Sequence, residues 1–133
     1  MRNFSQIIVK AMKILVVAKD EQLLQAIAGH VKSMGHEVAN AQTAAVAIAN
    51  AAAWSVDVVL LDIGPGEDDG RAACRILRKN PDFLRCKIVA LSDTSVIDFL
   101  TVSLFDAILV RPLHRPALAS LLGTEPDDYS RST

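Results

Sequence analysis

The chain has 133 residues, of which 51% are hydrophobic and 5% aromatic, and its formal net charge is −1, from 14 Lys and Arg against 15 Asp and Glu. About 150 residues is typical of one domain, and a domain of this length needs no disulfide or metal to fold. The balanced charge argues against a nucleic-acid or anionic-membrane surface, and no apolar run approaches the roughly 18 residues of a membrane span.

Short apolar runs alternate with segments of helical periodicity along the chain. "KILVVA" (13–18) predicts a buried first strand, and the next segment predicts a helix that ends at Gly35. Thr43 is the predicted N-cap of the second helix, and Pro81 stops the third. The later strands are predicted at 36–41, 56–62, 87–92 and 106–112, and the later helices at 42–54, 70–81, 94–105 and 114–123.

Five buried strands alternating with five helices predict an α/β fold, in which a parallel sheet carries helices on both faces. We expect residues 13–123 to form this domain, with an N-terminal extension at 1–12 and a flexible polar tail at 124–133. Ligands of such sheets bind at the carboxyl ends of the strands. Asp62 and Ser92 close the third and fourth strands, so both are expected at that rim.

The segment "LLDIGPGEDDG" (60–70), with Ser92 and Arg111-Pro112 farther along, resembles a response-regulator receiver domain, the phosphoacceptor module of two-component signalling. The resemblance extends from about Lys13 to Leu122. It implies a flavodoxin-like, doubly wound sheet of strand order 2-1-3-4-5. In this family the aspartate that ends strand three is phosphorylated, and the resemblance implies that Asp62 is this residue.

Other positions of the family pattern are matched in register. The resemblance implies that Ser92 supplies the hydroxyl and Arg111 the cation that contact the phosphoryl oxygens, and Asp69-Gly70 match the family's Asp-Gly pair. The family usually has lysine where this chain has Arg111, and a switch aromatic where it has Ile108. The spacing from Ser92 to Arg111 is also about one helical turn short of the usual one.

The largest departure concerns the metal. Receivers end strand one with an acidic pair that binds Mg²⁺, and the ungapped register places Ala18 and Lys19 there. Mg²⁺ usually takes one or two carboxylates besides phosphate oxygens. Asp20, which follows strand one, is interpreted mainly as a helix N-cap, and at most it would join Asp62 as a substitute metal ligand. We therefore expect no cofactor, with Mg²⁺ held weakly at most.

Two hypotheses follow. The favoured one is an atypical receiver in which Lys19 pairs with Asp62, Mg²⁺-dependent phosphorylation is impaired, and signalling depends on protein association. The alternative is a working phosphoacceptor, modified on Asp62 by a histidine kinase or phosphotransfer protein.

Under both hypotheses the chain is expected not to be an enzyme, and at most it would be a phosphoacceptor that removes its own phosphoryl group. The chain lacks the GxxxxGK[ST] and GxSxG motifs of nucleotide-binding and hydrolytic enzymes and a flavin-type phosphate loop after strand one.

The expected partners are a histidine kinase, a phosphotransfer protein or an output protein, bound by helix four, strand five and helix five. The alanines of helix two are compatible with a homodimer and also with helix propensity alone. No membrane or nucleic-acid partner is expected, and the predicted location is the cytoplasm. Cys74 and Cys86 are predicted to be small buried or half-buried residues in a reducing compartment, and His30, His36 and His114 to lie on the surface.

Overall fold

The structure is a computed structural model that describes residues 11–63, 67–93, 99–111 and 115–122. Of residues 67–69, 99–101 and 115 it describes the backbone alone. Most of the predicted N-terminal extension, the predicted tail, the first part of predicted helix four, Pro112 and His114 lie outside the described residues.

The described chain forms one parallel five-stranded sheet in the order β2-β1-β3-β4-β5, which confirms the predicted fold and strand order. The strands are β1 (Lys13–Val17), β2 (Glu37–Ala41), β3 (Val58–Asp62), β4 (Lys87–Ser92) and β5 (Ala107–Val110). The helices are α1 (Glu21–Ser33), α2 (Ala44–Ala51), α3 (Glu67–Arg78), α4 (Phe99–Leu104) and α5 (Arg115–Leu121), with a 3-10 turn at Pro81–Phe83. None of the described helices is long and apolar enough to cross a membrane.

Both faces of the sheet are covered because the central strands are apolar between their end residues, and alternate side chains point to opposite faces. Leu15 and Val59 belong to the core cluster that includes Cys74 and Leu77 of α3. Ile14 and Leu60 belong to the cluster that includes buried residues of α1 and α5. The two clusters hold the sheet rigidly between layers of helices, so the strand ends are fixed relative to one another.

The helix ends follow local sequence signals. The Asp20 carboxylate accepts hydrogen bonds from the backbone N–H groups of Gln22 (2.8 Å) and Leu23 (3.2 Å), so Asp20 is the N-cap of α1 as predicted. Thr43 Oγ1 accepts from the Val46 N–H at 3.1 Å, which confirms the predicted cap of α2. Gly35 has φ +94°, the left-handed conformation that favours glycine after a helix.

One side chain of α3 fixes the junction between α4 and β5. Arg78 donates to the Leu104 carbonyl (3.3 Å) and to the Asp106 carboxylate (2.9 Å), which also accepts from the Ile88 N–H (2.8 Å). The carbonyl at the end of α4 therefore has a charged donor.

Cys74 and Cys86 are free and buried, which confirms their predicted burial, and burial raises the pKa of the Cys86 thiol to about 11.

The prediction of a surface position is wrong for His36, whose exposed fraction is only 5%. Continuing the alternation of β2 back from Val38 places His36 on the same side of the sheet. Its Nδ1 accepts a hydrogen bond from the Met12 N–H at 3.0 Å, while Nε2 is buried with no partner among the described residues. Because Nδ1 accepts this hydrogen bond, it carries no proton, and the native ring is neutral. Burial lowers the pKa of His36 below its ordinary value of 6.5.

We expect acid to destabilise the fold through His36. Below pH 6.5 the unfolded chain binds a proton at this residue before the folded chain does, so the free energy of unfolding falls by up to about 1.4 kcal/mol per pH unit. This stability is fully present above pH 6.5 and is lost as the pH falls through the lowered native pKa. Urea unfolding between neutral pH and mild acid measures it.

The variant His36→Asn keeps an acceptor for Met12 without a titrating ring, so it should flatten this pH dependence. His30→Asn, at an exposed position of α1, is the matched control and should leave the dependence unchanged. Equal pH profiles for wild type and His36→Asn would show that His36 is not the titrating group.

Candidate functional site

The site lies where β1, β3 and β4 end. Asp62 is the last residue of β3, and its side chain is 13% exposed. Val17 is the register partner of Leu61, so the next residue of β1, Ala18, lies beside Asp62. On the other side, Asp62 pairs with Leu91, and the following residue, Ser92, is fully buried at the end of β4. The parallel sheet thus brings together three of the predicted site residues.

Arg111 follows β5, which is separated from the Asp62 strand, β3, by β4. Its Nη1 donates to Asp62 Oδ1 at 2.5 Å, and the two side chains are 19% and 13% exposed. Because β4 lies between β3 and β5, the guanidinium must extend over the end of β4. The Arg111 backbone N–H also donates to the Ser92 carbonyl at 2.7 Å, which fixes the start of the side chain. The short contact is a charge-assisted hydrogen bond in a largely buried environment.

A cleft of about 570 Å³ opens beside this ion pair. Lys19 and Asp20 line it from the loop after β1, and Gln42 lines it from the loop after β2. The Gln42 side chain donates to the Lys19 carbonyl at 2.9 Å, so the two loops are joined. The structure therefore places Lys19 at the same cleft as Asp62, while a direct pairing of the Lys19 ammonium with Asp62 stays a prediction.

The described residues do not fit the usual magnesium site of a receiver. Ala18 has no ligand atom, Lys19 has a cation, and the Asp20 carboxylate is engaged by the amides of α1. Within the described part of the chain, no group of three or more His, Cys, Asp or Glu is arranged to hold a metal ion. Both cap hydrogen bonds use Asp20 Oδ1, so joint ligation of a metal by Asp20 and Asp62 stays a prediction.

The start of α3 packs closely against the residue that follows the Asp62 strand. A Cβ added to Gly70 would lie 2.9 Å from the Ile63 Cα. The Asp-Gly pattern is therefore explained on its glycine side by a close helix approach, while the Asp69 side chain lies outside the described residues. At the switch position, Ile108 is half-buried in β5 and packs on the cluster that contains α3 residues.

Comparison with known proteins agrees with this geometry. A profile of the response regulator receiver domain family matches residues 14–122, whereas no curated protein sequence matches the chain. The receiver domain of a sensor histidine kinase from Pseudomonas aeruginosa, solved with magnesium in its active-site cleft, is 23% identical, with a TM-score of 0.72 over 84% of this chain and 94% of that chain.

Two further solved structures share the fold. A CheY-like receiver domain from Methylobacillus flagellatus is 20% identical, with a TM-score of 0.76 over 86% of this chain and 98% of that one. The response regulator TrrA from Thermotoga maritima, solved with Mg²⁺ and BeF, is 23% identical, with a TM-score of 0.70 over 84% and 96%. The family match spans nearly the whole described domain, and the chain therefore belongs to the response regulator receiver domain family of two-component signalling.

Proposed function

We propose that this chain is an atypical receiver that acts mainly by protein association and in which Mg²⁺-dependent phosphorylation of Asp62 is impaired. The observation that carries the proposal is the Arg111–Asp62 ion pair at 2.5 Å, in a site whose acidic-pair positions are Ala18 and Lys19. One oxygen of the phosphoacceptor carboxylate is already engaged by a cation of the protein itself.

The physical argument concerns charge. Transfer of a phosphoryl group to a carboxylate brings two anions together, and Mg²⁺ normally offsets the charge of the phosphoryl oxygens. Here a metal ion would meet Lys19 instead of carboxylates and would have to compete with Arg111 for Asp62. Arg111 cannot take the metal's place fully, because a planar guanidinium fixed to Asp62 has a different geometry from an octahedral ion.

The proposed binding surface is the face formed by α4, β5 and α5. β5 is an edge strand that pairs only with β4 among the described strands. Val102 of α4 is 48% exposed and Val110 of β5 is 41% exposed, so large apolar side chains lie on this face. Exposed apolar side chains on an edge strand and its neighbouring helix are suited to a protein partner. A histidine kinase, a phosphotransfer protein or an output protein is the proposed partner.

Incubation with acetyl phosphate and Mg²⁺, followed by intact-mass spectrometry, tests the proposal. We expect labelling of Asp62 to be at least about a hundredfold slower than that of a receiver with a complete acidic pair, and no faster with Mg²⁺ than with a chelator. Asp62→Asn is the control for labelling elsewhere. Rapid, Mg²⁺-dependent labelling that Asp62→Asn abolishes would overturn the proposal and establish a working phosphoacceptor.

A further inference from the structure

We infer that a groove at the end of the sheet opposite Asp62 is a self-association surface, which binds the same groove of a second copy of this chain. Residues that precede β3 and β4 line it, together with Lys13 at the start of β1 and the end of α2. Its volume is about 660 Å³, and none of its lining residues lines the cleft beside Asp62. The inference therefore concerns a second surface, separate from the chemistry at Asp62.

Leu84 is the large apolar side chain that this surface presents to solvent. Its exposed fraction is 73%, the highest among the large hydrophobic residues of the described chain. Its backbone is held in place, because Phe83 before it is fully buried and the Leu84 N–H donates to the Pro81 carbonyl at 3.2 Å. Covering Leu84 in a partner's groove thus removes apolar surface from water with little loss of backbone freedom.

The groove also contains charges of both signs that do not pair with one another. Its cations are Lys13 and Arg85, and its carboxylates are Asp57 and Asp82. Asp57 Oδ2 accepts a hydrogen bond from the Lys13 backbone N–H at 2.8 Å. Within the described part of the chain, however, no ion pair engages any of these four side chains. Their charges can therefore pair with those of a partner.

A second copy is the partner that this charge pattern fits. In a two-fold interface the same patch meets itself, so a contact between two residues occurs twice with the copies exchanged. Asp82 and Arg85 flank Leu84, so a two-fold axis beside Leu84 brings Arg85 of each copy to Asp82 of the other. A patch of one sign would repel itself, whereas this one attracts. The chain's net charge of −1 adds little repulsion between copies.

Two opposite charge reversals test the inference by sedimentation velocity over a concentration series. We expect the wild type to form a concentration-dependent dimer. Arg85→Glu leaves one cation against three carboxylates and Asp82→Arg the reverse, so each variant alone should dimerise at least about tenfold more weakly. An equimolar mixture of the two should recover dimers, and so should the double variant Arg85→Glu/Asp82→Arg. A wild type that stays monomeric throughout, or a mixture that does not associate, would overturn the inference.

A substitution at Leu84 tests the apolar part of the interface. Leu84→Ser should raise the dimer Kd at least about tenfold, because exposed apolar anchors carry much of the binding energy of an interface. Val102→Ser, at an exposed position of α4, is the matched control and should leave the Kd unchanged. An equal loss in Val102→Ser would assign the dimer to the α4, β5 and α5 face and contradict the inference. These measurements need no phosphodonor, so their outcome is distinguishable from that of Asp62 labelling.

Discussion

The double variant Ala18→Asp/Lys19→Asp is expected to label at Asp62 with acetyl phosphate at least about 10²-fold faster than the wild type, and only when Mg²⁺ is present. The register between β1 and β3 places residue 18 beside Asp62, so a carboxylate there adds a ligand of the kind that Mg²⁺ prefers. The change at position 19 also removes a positive charge from the cleft. The bound metal can then compete with Arg111 for Asp62.

A neutral variant of matched size separates the two parts of this effect. Ala18→Asn/Lys19→Asn introduces similar side chains without negative charge, and we expect it to gain no Mg²⁺-dependent labelling. Time courses by intact-mass spectrometry, with Mg²⁺ and with a chelator, provide the comparison. If the asparagine variant labelled as fast as the aspartate variant, the cation at Lys19 would be the obstacle, and the missing carboxylates would not explain the impaired site.

Most of the fold could be predicted because parallel strands buried on both faces form nearly continuous apolar runs. β4 has the predicted bounds, and the caps at Asp20 and Thr43 follow from side chains that accept backbone amides nearby in sequence. Such features depend on neighbours along the chain. The start of α3 was harder, because the helix begins at Glu67 and not at Gly70. Acidic residues in the first turn stabilise a helix N-terminus, although such a run of acidic residues is also typical of a loop.

Two features that local sequence patterns do not specify depend on residues far apart in the chain. Arg111 and Asp62 are separated by 49 positions and by the intervening strand β4, and the long arginine side chain bridges that distance. The motif suggested Arg111 as a pocket cation able to pair with a phosphate or with Asp62, and it did not decide between the two. His36 follows a turn glycine and is polar, which is typical of the surface. Its burial depends on the Met12 amide, which no local pattern indicates.

Gly70→Ala is expected to destabilise the fold by about 1–3 kcal/mol, the range found when extra atoms are forced into a packed region. In an open helix position the same change is stabilising by roughly 0.5–1 kcal/mol, because glycine loses more backbone entropy on folding. At Gly70 the new Cβ would lie 2.9 Å from the Ile63 Cα, a backbone atom that cannot move without shifting the end of β3. Urea denaturation measures the loss.

Gly29→Ala is the matched control for this prediction. Gly29 also lies within a helix, α1, but a Cβ added there meets nothing within 4 Å, so the substitution should raise the free energy of unfolding. The two changes therefore have opposite expected signs, although each adds one methyl group to a helix. Only the close approach of α3 to Ile63 distinguishes them. A stabilising Gly70→Ala would mean that α3 can move away from Ile63 at little cost, and the wall of the cleft beside Asp62 would then be adjustable rather than rigid.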